Sequence, residues 1–98
     1  MRELPKDIIE EMKIRFDSDF YSAMKILTEY LTENDYLDSD RIIRCIISLT
    51  QNGIENFEKN LILAKTDQRD AMLCAEYENE EQPKRVRDFN RTFPESEI

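Results

Sequence analysis

Apolar residues recur at intervals of three and four in five stretches of this 98-residue chain, and a single glycine, Gly53, interrupts the series. Such intervals place side chains on one face of an α-helix, whereas a strand would need strict alternation. Neither strand alternation, nor a tandem repeat, nor a Gly/Ser-rich linker is visible in the sequence. The pattern predicts an all-α fold: about five short helices in an orthogonal array within residues 1–82, and a docked C-terminal tail at 83–98.

The first two predicted helices cover the N-terminal third of the chain. Residues 5–16 form the first, because Pro5 suits a first helical turn and apolar residues follow at helical spacing. Asp17 and Ser18 then offer an N-cap for the second helix, which has the strongest amphipathic stripe in the chain. The polar stretch 33–38 breaks the period and predicts a loop.

The third helix, with Ser39 as its N-cap, is predicted to lie at the centre of the fold. Its apolar residues cover about 200° of the helical surface at 100° per residue. They are Ile42, Ile43, Cys45, Ile46, Ile47 and Leu49. A helix so widely apolar must contact neighbours on several sides. It is predicted to end at Gly53 in the left-handed conformation, with Ile54 packed on Leu49 as in a Schellman motif.

Two shorter helices and a tail of different composition complete the predicted fold. The fourth helix presents an apolar face that begins at Ile54, and the fifth begins at Asp67 and Asp70, a pair that resembles a capping box. The fifth helix runs to about Tyr77. An acidic run and a proline that stops any continuation follow, namely Glu76, Glu78, Glu80, Glu81 and Pro83.

The tail alternates basic and apolar residues and is predicted to dock. Helices four and five carry apolar residues on two sides, more than one small core can cover. The tail therefore packs on their outer face, either in its own chain or in a second copy, which would make a homodimer. The residues predicted to make this contact are Leu63, Leu73, Tyr77, Val86, Phe89 and Phe93.

Charge and hydropathy narrow the class of protein. The net charge of −8 disfavours binding to nucleic acids and anionic membranes, and it favours a basic protein partner. No segment approaches the roughly 18 apolar residues that span a bilayer, and the first residues lack the apolar core of a signal peptide. We therefore expect a cytoplasmic protein.

The sequence offers no legible catalytic, cofactor or metal site. It contains no histidine, the residue that most often transfers protons or binds metals at neutral pH. The acidic pairs near Asp17 and Asp35 lack the glycine of an EF-hand loop. Cys45 and Cys74 lie among apolar helical residues, so both are predicted to be buried, reduced and without a disulfide.

A polar strip on the third helix leaves two interpretations open. Arg41 and Arg44 lie on a helix that should be nearly enclosed, and buried arginine needs a partner. One interpretation pairs them with Asp38, Asp40 or acids of the second helix. The other is an anion pocket between helices three and five. The residues concerned in these interpretations are Arg41, Arg44, Arg69, Asp70 and Glu76.

Three short motifs resemble a pattern found in small uncharacterised bacterial helical proteins. They are D-R-x-x-R-C at 40–45, A-x-x-D-x-R-D at 64–70 and A-E-Y at 75–77. The resemblance covers residues 40–77 and carries no known activity. It implies a bacterial origin and a polar network that joins the arginines and acids of these motifs, and such networks usually serve structure.

The leading hypothesis is a non-enzymatic bacterial protein–protein interaction module, such as a small inhibitor or immunity-type protein, that uses an acidic surface. Residues 17–40 contain seven acids against one base, Lys25. These acids are Asp17, Asp19, Glu29, Glu33, Asp35, Asp38 and Asp40. The alternatives are a small-ligand sensor or enzyme whose pocket is lined by Arg41, Arg44 and Arg69, and a structural homodimer.

Overall fold

The computed structural model describes residues 3–51, 53–78 and 84–96. Within them lie five α-helices: α1 (Lys6–Phe16), α2 (Phe20–Glu33), α3 (Asp40–Leu49), α4 (Gly53–Thr66) and α5 (Gln68–Glu76). Two-residue strands β1 (Tyr77–Glu78) and β2 (Lys84–Arg85) pair antiparallel, and 3-10 turns lie at Asp17–Asp19, Asp35–Leu37 and Phe93–Glu95. The predicted all-α class is confirmed. Pro83, Glu80, Glu81 and the predicted boundary between residues 82 and 83 lie outside the described residues.

A pair of two-residue strands follows α5 within the confirmed all-α class. Tyr77 was expected to end the fifth helix, but its extended backbone (φ −117°, ψ 146°) ends α5 at Glu76. In β1 it pairs with Arg85 of β2, so the chain returns along the end of α5. This return brings the tail back to the helices.

α3 is the central helix, as its sequence predicts. Ile43, Cys45, Ile46 and Ile47 are almost completely buried, and α3 contacts α1, α4 and α5. The main core continues through α1, α2 and α4, where the rings of Phe16 and Phe57 meet edge to face at 5.0 Å between centroids. Because α3 is surrounded, its few polar side chains must find partners inside the fold.

The junction of α1 and α2 differs from the predicted cap. Asp17 has a positive φ of 46° and ends α1, where its backbone N–H donates to the carbonyl oxygen of Lys13. Neither Asp17 nor Ser18 caps α2, which begins at Phe20 after the 3-10 turn. The short side chain of aspartate tolerates a positive φ better than most residues do.

Arg15 closes the C-terminal end of α3, a role that the sequence did not indicate. Its Nη1 donates to the carbonyl oxygens of Ile47 at 2.9 Å and Thr50 at 3.0 Å. Glu11, one turn earlier on α1, accepts a hydrogen bond from the Nε of Arg15 at 2.7 Å. A cation at a helix C-terminus satisfies free carbonyls and opposes the negative end of the dipole. α1 and α3 are thereby joined.

The two predicted N-caps behave differently. Ser39 occupies the N-cap position of α3, but its side chain makes no capping hydrogen bond. Asp67 caps α5, because its Oδ1 accepts from the N–H groups of Arg69 at 3.1 Å and Asp70 at 3.2 Å. The reciprocal half of the capping box is missing, since the N–H of Asp67 donates to the carbonyl oxygen of Leu63.

Gly53 adopts the predicted left-handed backbone but begins α4 instead of ending α3. Its φ is 69°. α3 already ends at Leu49, where the N–H of Thr50 donates to the carbonyl oxygen of Ile47, so the predicted Schellman motif is wrong. The connection is closed instead by Asn56, whose Oδ1 accepts from the N–H of Gln51 at 2.8 Å.

Replacing Gly53 by alanine is expected to destabilise the chain by about 1–2 kcal/mol, the cost of a left-handed backbone for an L-residue. A Cβ at this position has no neighbour within 4 Å, so no steric clash adds to that cost. Gly53→Asn should lose less stability than Gly53→Ala, because asparagine tolerates this conformation. Urea denaturation of the three proteins measures the difference. Equal stability of the alanine variant and the wild type would contradict the strained backbone.

The two cysteines are both free, and only one is buried. Cys45 lies in the core, and burial, followed by the nearby charge of Glu76, raises the pKa of its thiol to about 12. Cys74 is exposed, which corrects the prediction that both thiols are buried. Ala71 and Ala75, one turn apart, form the buried face of α5 and leave Cys74 on the solvent side.

Among the described residues, no helix is long and apolar enough to cross a bilayer.

Candidate functional site

Two carboxylates, Glu76 and Asp7, bind the C-terminal tail to the helices. Glu76, at the end of α5, is completely buried. It accepts hydrogen bonds from Arg41 of α3, at 2.6 Å to Nη2 and 3.2 Å to Nε, and from the N–H of Phe89 at 2.9 Å. The guanidinium of Arg85 lies 3.5 Å from the same carboxylate. A buried carboxylate with this many partners is satisfied.

Asp7, in the first turn of α1, repeats the arrangement. Its two oxygens accept from Nε and Nη2 of Arg44 at 2.9 Å and 3.0 Å, a bidentate pair. Asp7 also accepts from the N–H of Phe93 at 3.0 Å, while Nη1 of Arg44 donates to the carbonyl oxygen of Phe89 at 3.1 Å. We call Asp7, Arg41, Arg44 and Glu76 the carboxylate clamp, because each half joins an arginine of α3, an acid and the tail backbone.

The clamp lowers the pKa of both acids. Burial by itself raises the pKa of Glu76, but hydrogen bonds from Arg41 and Phe89 and the charges of Arg41 and Arg85 outweigh it. Burial likewise opposes ionisation of Asp7, and the bonds from Arg44 and Phe93 hold the pKa of Asp7 below its ordinary value. Both groups are therefore anions at neutral pH.

The lowered pKa values predict a loss of stability in acid. A group whose pKa is lower in the folded state stabilises the fold above its unfolded pKa, which is about 4 for carboxylates, and loses that contribution as the pH falls through the folded pKa. Urea denaturation between pH 6 and pH 2 should show stability falling with pH, with a shallower fall for Glu76→Gln. Glu10→Gln, on the exposed surface of α1, is the control and should keep the wild-type slope. Equal slopes for Glu76→Gln and wild type would contradict the role of Glu76.

The predicted polar network is assembled only in part. Arg41, Arg44 and Glu76 belong to the clamp, but Arg69 and Asp70 are exposed at the start of α5 and take no part in it. The partners expected for the arginines of α3 were Asp38, Asp40 or acids of α2. The hydrogen-bonded partners are Glu76 and a residue that sequence analysis missed, Asp7. An acid in a first helical turn is so common that it gave no signal.

The tail packs on α5 of its own chain, as predicted, and also on α1 and α3, which the prediction did not include. Phe89 is almost completely buried against Cys45 and Ala75, and its ring lies 5.5 Å from that of Phe93. The N–H of Val86 donates to the carbonyl oxygen of Glu76 at 2.7 Å.

The three helix residues expected to receive the tail have other positions. Leu63 packs against the main core, Leu73 is 48% exposed, and Tyr77 lies in β1. The clamp explains the difference. Backbone groups of the tail meet buried charges on α1, α3 and α5, and such charges must be satisfied.

Five of the seven predicted partner-binding acids form an exposed surface. We call them the acidic surface: Asp17, Asp19, Glu29, Glu33 and Asp35. None of the five makes an ion pair with another described residue. The remaining two acids are half-buried: Asp38 precedes α3, and Asp40 is its first residue. The surface therefore runs along α2 and the 3-10 turns at its two ends.

A groove of about 310 Å³ between α2 and α4 adjoins this surface. Its walls combine apolar and acidic residues: Ile26, Glu29, Tyr30, Glu33, Asn34, Glu58, Leu61, Ile62 and Lys65. The hydroxyl of Tyr30 donates to the carbonyl oxygen of Leu61 at 2.7 Å and so joins the two helices. Burial, with Tyr36 nearby, raises the pKa of Tyr30 to about 12, which keeps this donor protonated. We call this feature the α2–α4 groove.

A second groove, of about 470 Å³, lies between α1 and the tail. Its charges are mixed, since α1 contributes Glu10, Glu11 and Arg15 and the tail contributes Arg87. Neither groove is lined by Arg41, Arg44 or Arg69, the residues of the expected anion pocket. Within residues 3–51, 53–78 and 84–96 no group of three or more acids and cysteines is arranged to hold a metal ion.

No protein-family model matches the chain, and no curated protein or solved structure is significantly similar to it. Its function is therefore inferred from its own residues and their geometry.

Proposed function

We propose that this chain is a non-enzymatic interaction module of bacterial type that binds a basic protein through its acidic surface. The main observation in support of this proposal is that the five acids of the acidic surface are exposed and make no ion pair with another described residue. Like charges left unneutralised on a protein surface create a negative potential that attracts and orients a basic partner. A small inhibitor or immunity-type protein, which covers a basic target, is a concrete form of this function.

Three acids outside this surface are neutralised within the chain, and they differ in this respect from the acids of the acidic surface. Glu76, Asp7 and Asp88 are each paired with arginine inside the chain, at 2.6 Å, 2.9 Å and 3.0 Å respectively. The acids of the acidic surface have no such partner in the described chain. A basic partner would neutralise them on binding.

The arginines of α3 favour a structural role over an anion site. Arg41 and Arg44 already donate to Glu76, to Asp7 and to the tail. Arg69 lies apart from both. An incoming anion would have to displace a buried carboxylate from Arg44, which would leave that carboxylate without its counter-charge.

A capture experiment with charge-matched variants tests the proposal. The surface variant carries Asp17→Asn, Asp19→Lys and Asp35→Lys, with asparagine at position 17 because it tolerates the positive φ found there. The control carries Glu10→Gln, Glu3→Lys and Glu95→Lys at exposed residues. Each variant changes the net charge by +5, from −8 to −3. Immobilised wild type and both variants are exposed to extract of the native host, and bound proteins are quantified by mass spectrometry.

The proposal expects a basic protein that wild type and control retain and that the surface variant loses at least tenfold, since only the position of the charges differs. Loss from both variants alike would mean that total charge, and not this surface, governs binding. Specific retention of an acidic protein would also overturn the proposal.

A further inference from the structure

We propose that the α2–α4 groove is the recognition site within the acidic surface, and that it takes a basic amphipathic helix of the partner protein. This inference rests on the proposed function, because it assumes a basic protein partner. It adds the position of the site and the chemistry of the segment that is bound. Amphipathic helices commonly bind in a groove between two packed helices, with their apolar face against the groove.

The apolar part of the groove is already exposed. Ile62 on α4 is 64% exposed, and Ile26 on α2 lines the opposite wall. When an apolar residue covers a large aliphatic side chain that is exposed in a concave surface, apolar area is removed from water, and this contributes favourably to the free energy of binding. This feature distinguishes the groove from a purely charged surface, which would attract any polycation equally.

The charges around the apolar part specify a basic occupant. Glu29 and Glu33 are one turn apart on α2, so they present two carboxylates along one wall. Glu58 lies on the α4 wall one turn before Ile62, and Lys65 is the single base among the described residues that line the groove. A bound helix with lysine or arginine on both sides of an apolar stripe would meet acids on both walls.

A hydrogen bond joins the two walls of the groove. The hydroxyl of Tyr30 on α2 donates to the carbonyl oxygen of Leu61 on α4. At the end of α2, the side chain of Asn34 donates to the carbonyl oxygen of Tyr30 at 2.9 Å. Because both walls are fixed before a partner arrives, little ordering free energy is lost on binding.

Other occupants fit less well. A second copy of this chain carries a net charge of −8 and would be repelled by the acids of the groove. The arginines of the chain's own tail are engaged elsewhere, since Arg85 contacts Glu76 and Asp88, and Arg87 donates to the carbonyl oxygen of Ala75. The groove between α1 and the tail has mixed charges and selects for neither sign.

Fluorescence anisotropy with defined peptides tests the inference. The probe is an 18-residue peptide of lysine and leucine with its leucines at helical spacing. Two control peptides have the same composition in scrambled order and the same pattern with glutamate in place of lysine. Wild type is expected to bind the probe at least tenfold more tightly than either control, because only the probe offers both a basic and a continuous apolar face.

Matched substitutions locate the binding site. Ile62→Ser and the pair Glu29→Gln with Glu33→Gln should each weaken probe binding at least tenfold. The controls are Ile14→Ser, at a residue that is 75% exposed in the other groove, and the pair Asp17→Asn with Asp19→Asn. Both controls should stay within twofold of wild type, because the short probe is expected to occupy the groove alone, whereas a partner protein meets the whole acidic surface. Circular dichroism checks that every variant is folded.

Two results would overturn the inference. One is that wild type does not prefer the probe over the scrambled peptide. The other is that Ile62→Ser binds the probe as wild type does. If Asp17→Asn with Asp19→Asn is the damaging pair, the groove is wrong while the acidic surface remains the binding face. The capture experiment decides the proposed function independently, because it involves no change in the groove.

Discussion

Replacing Asp7 by alanine is expected to destabilise the chain by about 3–5 kcal/mol, because it leaves the buried guanidinium of Arg44 without its counter-charge. The side chain of Arg44 is buried and makes a bidentate pair with Asp7. The N–H of Phe93 loses its acceptor at the same time. Urea denaturation at pH 7 measures the change in the free energy of unfolding.

Glu10→Ala is the matched control for this prediction. Glu10 is also an acid of α1 and lies 3.7 Å from the ammonium of Lys6, but its side chain is 59% exposed. An exposed pair of this kind contributes at most about 1 kcal/mol. A loss for Asp7→Ala no larger than for Glu10→Ala would show that Arg44 finds another partner or water.

The double variant Asp7→Leu with Arg44→Leu separates the charge from the packing. Removing both members of a buried ion pair is often close to neutral, whereas removing one is not. The double variant should therefore be more stable than Asp7→Ala. It should still be less stable than the wild type, because the N–H of Phe93 and the carbonyl oxygen of Phe89 both lose hydrogen bonds.

Replacing Phe89 by alanine is expected to cost a similar amount, about 3–5 kcal/mol, through the cavity left in a closely packed cluster. Phe89 is almost completely buried against Cys45 and Ala75. Leu73→Ala is the informative control. Leu73 was expected to contact the tail but is half exposed, so its replacement by alanine should reduce the free energy of unfolding by less than about 1 kcal/mol. The reverse order of the two losses would place the tail on the face originally predicted.

The thiol of Cys45 reports on the same packing. With Cys74→Ser in the background, Cys45 is the remaining cysteine of the chain. Burial under the tail and a raised pKa make it slow to react in the native state. Phe89→Ala should accelerate its labelling by an alkylating reagent at least tenfold. Unchanged labelling would mean that the tail does not protect Cys45.

The helices and their buried faces were largely predictable from the sequence. Ile43, Cys45, Ile46 and Ile47 are buried as expected, because an apolar arc of that width leaves a helix no exposed side. Periodicity was less informative for α5, where Cys74 was expected to be buried and is exposed. In a short helix with few apolar residues, a small error in the assumed face changes the burial of each position.

The acidic surface was predictable, and the α2–α4 groove was not. Exposed acids on α2 follow from helical spacing, since residues opposite the apolar stripe face solvent. The groove also needs Glu58 and Ile62, which come from α4. Their position opposite Ile26 and Glu29 depends on how the two helices pack.

Sequence alone determined which segments are helical and which face of α3 is buried, because those properties depend on residues within one or two turns of each other. Tertiary structure alone decided which arginine meets which acid. Arg41 and Glu76 are 35 residues apart, Arg44 and Asp7 are 37, and Phe93 and Asp7 are 86. No local pattern records such pairings. They are set when the helices pack around α3 and each buried charge takes the partner that the packing brings within reach.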